Sequence, residues 1–174
     1  KVLADFWIIL QLDALQWSRE TSQMFTGFVG LGLVFGRKFT SWGLDKYGTH
    51  GFTTLTHMIS LVESLIIGLF PSSFTMGLAG LLGFGSGQKM NGVKQMITKV
   101  ALNPKVTTRN FGKGELSGLL ANLRAMMVAI APNIYMFFYN YGLRSGRNGG
   151  AFLGLAVITV LAELMHRQII GRVP

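Results

Sequence analysis

One stretch of the sequence decides the fold class: residues 112–142, which read GKGELSGLLANLRAMMVAIAPNIYMFFYNYG. After Glu115 its only charged side chain is Arg124, and residues 125–143 carry none. At a rise of 1.5 Å per residue, about 20 apolar residues cross the hydrocarbon core of a bilayer. The stretch therefore predicts a membrane-spanning helix. Pro132 is compatible with it, because neighbouring helices and hydroxyl side chains can satisfy the carbonyl that a proline frees in a membrane bundle.

The composition is typical of a membrane protein. Of the 174 residues, 49% are hydrophobic and 13% are charged, whereas soluble domains carry about 25% charged residues. The net charge of +9 would suggest nucleic-acid binding if the basic residues lined one soluble face. They lie mostly between apolar runs instead, so we expect no nucleic-acid partner.

Reactive motifs are missing from the sequence. The chain has no cysteine, which excludes disulfides and thiolate metal sites. It also has no HExxH or GxSxG motif, and these are among the common signatures of metal-dependent and serine hydrolases. We therefore expect no enzyme activity, no catalytic residues and no metal site.

Charges and prolines divide the chain into six apolar segments, the first of them short. Breaks are predicted near residues 18–23, 37–50, 71–74, 102–113 and 143–149. This pattern predicts an all-α, polytopic transmembrane helix bundle of five to six spans, with residues 1–174 as a single domain.

The basic residues predict which loops share a side of the membrane. Eleven fall in loops on one side, including Lys46, Lys105, Arg109 and Arg172, while the other side has Arg19, Arg144 and Arg147. The positive-inside rule assigns the larger set to the cytoplasmic side or its organelle equivalent.

Two motifs resemble those of the major facilitator superfamily of transporters. A Gly-x-Leu-x-Gly start, a Leu-Arg pair and a later proline resemble the eleventh helix of its drug/proton antiporter branch; the matching residues are Gly114, Leu116, Gly118, Leu123, Arg124 and Pro132. Residues 43–48, GLDKYG, resemble the Asp-Arg-x-Gly loop motif, with Gly43, Asp45, Lys46 and Gly48 as candidate loop residues. The same six residues equally fit a tight turn between antiparallel helices.

The resemblance implies a particular place for this chain. It would form helices seven to twelve of a transporter, with the seventh incomplete, and the N-terminal six-helix half would lie outside it. Such transporters work by alternating access, in which two halves rock around a site near the bilayer midplane.

Polar residues within the apolar segments are the candidates for substrate binding or gating: Arg124, Asn122, Asn133, Tyr135 and Glu63. An unpaired charge inside a membrane is costly. We therefore expect Arg124 to face protein and pair with Glu63 or Glu163, with snorkelling to the interface as the alternative. Glu63 should likewise face the bundle interior and have a partner.

Two histidines, His50 and His57, are candidate pigment ligands. His57 and Glu63 are six residues apart, so on a helix they point about 120° away from each other and need not share a partner. The simpler interpretation of both is two separately hydrogen-bonded structural side chains.

Two functions follow as hypotheses. The first is membrane transport by the C-terminal half of a secondary active transporter, with the missing half and membrane lipids as partners and no cofactor. The alternative is a transporter-derived accessory subunit of a photosynthetic or respiratory supercomplex, without transport activity, that contacts lipids or pigments such as chlorophyll or carotenoid. Either would be an integral membrane protein of the plasma membrane or an organelle, for example the thylakoid.

Overall fold

The computed structural model describes residues 7–101 and 112–170, and within these ranges the regular structure is entirely helical. The elements are a π-helix, Leu10–Ala14, followed by α1 (Arg19–Leu69), α2 (Ser73–Ser86), α3 (Lys89–Ala101), α4 (Lys113–Arg144) and α5 (Gly150–Ile170). The predicted all-α class is therefore confirmed for the described residues.

Helix α1 consists of two limbs, residues 19–47 and 49–69, which meet at Gly48. This glycine has a φ of 67° and a ψ of 179°, a combination that is essentially restricted to glycine. The limbs fold back on each other, since the rings of Phe39 and Phe52 lie 5.7 Å apart. Gly43 permits this approach, because a Cβ there would fall 2.4 Å from the Phe52 ring.

The predicted break over residues 37–50 is wrong for most of its length, because the first limb stays helical to residue 47. Only Gly48 departs from helical conformation, so the motif at residues 43–48 ends the first limb, and the alternative of a tight turn between antiparallel helices fits the structure. The physical reason is that residues 37–47 contain no proline and only one glycine. Charged and polar residues can extend a helix beyond the apolar part of a span when they reach water.

The other predicted breaks mostly lie where expected. Helix α1 ends before Pro71, and Ser72 begins α2 with a capping box, in which its Oγ accepts from the Thr75 N–H at 3.2 Å. Ser18 caps α1 in the same way by accepting from the Thr21 N–H at 3.1 Å. Helix α4 continues through Pro132 and is separated from α5 by residues 145–149. An additional break at residues 87–88 separates α2 from α3, and residues 102–111 are outside the described ranges.

Helix α1 is the centre of the bundle, since α2, α3 and α5 all pack against it. Its second limb contributes the almost fully buried side chains of Phe52, Thr53, Thr56 and Ile67. The backbones of α1 and α5 cross closely, because a Cβ on Gly149 would lie 2.5 Å from the carbonyl oxygen of Gly68. Small residues at such crossings are typical of membrane helix packing.

Helix α4 is at the periphery and packs chiefly along α5. Every residue from 121 to 130 is exposed. Within residues 7–101 and 112–170, three helices are long and apolar enough to cross a membrane: Arg19–Leu69, Gly114–Arg144 and Gly150–Gln168.

The basic residues divide between the two ends of the bundle. At one end, here called the Trp17 end, the Trp17 indole donates to Ser73 Oγ at 2.7 Å. At the other, the Gly48 end, Lys99 Nζ donates to Thr49 Oγ1 at 2.8 Å. Arg19, Arg144 and Arg147 lie at the Trp17 end, and Lys46 lies at the Gly48 end. This distribution agrees with their predicted separation. Lys105, Arg109 and Arg172 are outside the described residues.

Candidate functional site

All three histidines of the chain gather around Glu163, where the second limb of α1 meets α5 near the Gly48 end. His57 Nδ1 lies 2.9 Å from Glu163 Oε2, and His166 Nδ1 lies 3.5 Å from the same oxygen. His50 Nδ1 is 3.4 Å from His166 Nε2, and the two rings are stacked. We call His57, Glu163 and His166 the His–Glu cluster.

Helical spacing explains how these side chains meet. Glu163 and His166 are three residues apart on α5, which puts them on one face of the helix. His50 and His57 are seven residues apart, about two turns, so they also share a face. The packing of α1 against α5 brings the two faces together.

The two carboxylate oxygens of Glu163 have different partners. Oε2 faces the imidazoles, while Oε1 accepts from Thr54 Oγ1 at 3.1 Å and from Arg167 Nε at 3.0 Å. The side chains of His57, Glu163 and His166 are only 7%, 5% and 3% exposed, whereas that of Arg167 is 66% exposed. A buried carboxylate requires such pairing, and Arg167 supplies the positive charge from the bundle surface.

A second buried polar group surrounds Glu63, on the second limb of α1. Glu63 is 8% exposed, and the Ser86 hydroxyl and the Lys89 ammonium lie close enough to interact with its carboxyl group. Lys89 Nζ donates to Ser60 Oγ at 3.0 Å. Glu63 therefore lies inside the bundle near polar side chains, as expected. Its neighbours, Ser86 and Lys89, differ from Glu163, the partner of His57.

A cavity of about 280 Å³ borders this carboxylate, and we call it the Glu63 cavity. Its lining includes Trp7, Gln11, Phe25, Gly83 and Ser86. The walls are therefore mainly apolar, with a few polar atoms near one carboxylate. Such a lining can hold a small molecule or ordered water beside an ionisable group.

The predicted pairing of Arg124 with Glu63 or Glu163 is wrong. Arg124 is exposed on α4 and borders a surface groove with Lys94, Thr98 and Ser117. Helix α4 packs chiefly along α5, and its Arg124 face remains open. Both acids are engaged elsewhere in the bundle.

The remaining candidates from the sequence are dispersed. Asn122 and Asn133 are exposed on α4, and Tyr135 is half-buried on the same helix. In the 43–48 motif, Asp45 is exposed, while Lys46 Nζ lies 5.1 Å from the ring centre of Trp42. Of the two candidate pigment ligands, His57 is a buried member of the His–Glu cluster, and His50 is exposed at the edge of the cluster.

Sequence reasoning did not connect His57 with Glu163 and His166. His57 and Glu163 are separated by 106 positions, so no local spacing links them. The signal that could have found the site is the Glu-x-x-His spacing at residues 163–166 within an apolar helix, since such a pair projects from one face.

The arrangement thus provides two buried acidic centres, one next to a cavity and one surrounded by imidazoles. Carboxylates and imidazoles can exchange protons or hold cations. Comparison with known proteins finds no matching family model, no matching curated protein and no matching solved structure.

Proposed function

We propose that the chain is the C-terminal half of a secondary active transporter of the major facilitator type, embedded in a membrane as five to six spans. The observation that carries the proposal is Glu63, a carboxylate buried beside a cavity within a helix long and apolar enough to span a membrane. Ionisable residues at such positions are expensive and typically mark substrate or ion pathways.

The order of the helices supports the proposal. The two limbs of α1 run from the Trp17 end to the Gly48 end and back, and α4 and α5 meet again near Gly142 and Gly150. In a major facilitator half, residues 7–15 would complete the seventh helix, and the two limbs of α1 would be the eighth and ninth helices. Helices α2 and α3 together would form the tenth helix, and α4 and α5 would be the eleventh and twelfth.

The roles of the residues follow from this assignment. Glu63 would take up the coupling proton or cation, and Lys89 would balance its charge when the site is empty. The N-terminal half would cover the open face of α4, where Arg124, Asn122 and Asn133 lie exposed. Rocking of the halves would then expose the Glu63 cavity alternately to each side.

The test is transport by the full-length polypeptide in proteoliposomes. Glu63→Gln removes the charge at nearly constant volume, and we expect at least a tenfold loss of substrate-driven proton flux, reported by an internal pH-sensitive dye. Glu20→Gln, an exposed acid at the start of α1, is the matched control and should leave the flux unchanged. A flux that is the same in Glu63→Gln and wild type would reject the assigned role of Glu63.

A second candidate function is an accessory subunit of a photosynthetic or respiratory supercomplex. It is favoured by α4, whose most apolar 18-residue window has no buried residue and therefore offers a long apolar face to a neighbouring subunit. Solubilisation of native membranes in mild detergent distinguishes the two. Co-migration with a supercomplex, together with absence of any flux in the reconstituted protein, would favour the subunit; migration as a lone transporter would exclude it.

A further inference from the structure

We propose that His57, Glu163 and His166 form a binding site for one divalent transition-metal ion, best matched by Zn²⁺. This site is independent of the transport proposal, because it lies at the Gly48 end of the bundle and does not include Glu63. One donor atom from each of the three residues lies within 4.8 Å of the other two.

The distances suit a small ion. Zinc bonds to imidazole nitrogen and carboxylate oxygen are about 2.0–2.2 Å long, so donors around a tetrahedral ion stand roughly 3.3 Å apart. The two measured separations from Glu163 Oε2, 2.9 Å to His57 and 3.5 Å to His166, lie on either side of that value. The His57 and His166 nitrogens lie within 4.8 Å of each other, so an ion would draw these two imidazoles together by up to about 1.5 Å.

The donor set indicates the class of metal. Two imidazoles and one carboxylate are a set that zinc sites use with a fourth position left for water or another ligand. Mg²⁺ and Ca²⁺ prefer oxygen donors throughout. Soft ions such as Cu(I) prefer sulfur, and this cluster offers none.

Surrounding side chains hold the donors in position. Thr54 and Arg167 both bond Glu163 Oε1, which directs Oε2 toward the imidazoles. His50 contacts the far nitrogen of His166 at 3.4 Å. Hydrogen bonds of this kind, to the remote atoms of the ligands, orient metal-binding residues and raise their affinity.

The cluster is buried but close to water. Its three side chains are at most 7% exposed, while His50 and Arg167 next to them are exposed. Glu163 and His166 lie in the last two turns of α5. An ion can therefore enter from the Gly48 end and would link α1 to α5 across 106 positions of sequence.

The experiment measures Zn²⁺ and Co²⁺ binding to the full chain, purified in detergent with a histidine-free tag and stripped with a chelator. We expect one Zn²⁺ per chain, a visible absorption band with Co²⁺, and a thermal midpoint that rises on Zn²⁺ addition. His57→Gln and His166→Gln should each weaken binding by at least about 100-fold, because each removes a direct ligand. Glu20→Gln removes an exposed acid that belongs to neither buried site; it is the control and should bind like wild type.

A wild-type chain that binds no stoichiometric Zn²⁺, or binding that is equal in wild type and both histidine variants, would overturn the site. X-ray absorption of the Zn²⁺-loaded wild type provides a test that needs no variant. Two imidazoles among nitrogen and oxygen ligands at about 2.0–2.2 Å support the proposal. A first shell without imidazole contradicts it, and the cluster is then a purely hydrogen-bonded link between the helices.

Discussion

Glu163 shows how a single buried charge is accommodated in this bundle. It contacts four side chains, namely Thr54, His57, His166 and Arg167. Removal of one partner from a buried pair costs more than the pair contributes, because the remaining polar groups lose their bonds without regaining water. The carboxylate is therefore the residue on which the α1–α5 contact at the Gly48 end depends most.

Glu163→Ala should lower the free energy of unfolding by about 3 kcal/mol, since it leaves His57 and His166 buried without their shared acceptor. Denaturant titration in detergent and excess chelator, followed by tryptophan fluorescence, measures this change without any metal contribution. Glu20→Ala removes an exposed acid and should change stability by less than about 0.5 kcal/mol. Equal losses in the two variants would contradict the structural role of Glu163.

At the scale of elements, two glycines decide how helices turn and cross. Gly48 reverses the chain inside α1 with a positive φ, and Gly149 lets α5 approach the backbone of Gly68. Gly48 is required for its backbone conformation, whereas Gly149 is required because no space is available for a side chain. The two requirements can be separated by substitution with alanine.

Gly48→Ala should destabilise the protein by about 1–3 kcal/mol, because an L-residue at this φ and ψ is strained even though the space around it is open. The loss would appear as a lower thermal midpoint in detergent. Gly77→Ala is the matched control, since Gly77 is helical within α2 and a Cβ there meets nothing within 4 Å. It should leave the midpoint unchanged or raise it slightly.

Gly149→Ala should separate α5 from α1, because the new Cβ would meet the Gly68 backbone at 2.5 Å and backbone cannot rotate away. A cost of about 1–3 kcal/mol is typical of overpacking, and we expect less monodisperse protein on size exclusion. Gly118→Ala adds the same methyl group in open space on α4 and should have no such effect. A Gly149→Ala protein as monodisperse as Gly118→Ala would argue against this close crossing.

At the scale of the whole molecule, the bundle has two ends with different residues and an open flank on α4. If the three long apolar helices span a membrane, the Trp17 end and the Gly48 end face opposite compartments. Arg147 belongs to the first and Lys46 to the second. Residues 1–174 contain no cysteine, so single cysteines introduced here can report the two ends.

Lys46→Cys and Arg147→Cys should react with a membrane-impermeant maleimide from opposite sides of sealed vesicles. By the positive-inside rule, Lys46→Cys should react from the cytoplasmic side. Both variants should react equally after the vesicles are permeabilised, which controls for intrinsic reactivity. Labelling of both from the same side in sealed vesicles would show that the proposed membrane topology is incorrect.

The sequence by itself determined the helical class, the break at Pro71, the continuous helix through Pro132 and the separation of Arg19, Arg144 and Arg147 from Lys46. These features depend on local quantities: apolar run length, capping residues, proline geometry and loop charge. Such quantities act within a few turns, and a linear sequence displays them directly. The interior position of Glu63 followed from the same reasoning, because an intramembrane carboxylate needs a partner.

The tertiary structure alone decided which distant side chains meet. It joined His57 to Glu163 across 106 positions, and it left Arg124 exposed on a helix that packs chiefly along one neighbour. It also showed that, within the predicted break at residues 37–50, the chain reverses at Gly48, where one backbone conformation is sufficient for the turn. The physical reason is that helix rotation and partner choice result from the packing of whole faces, and no residue spacing within one helix contains that information.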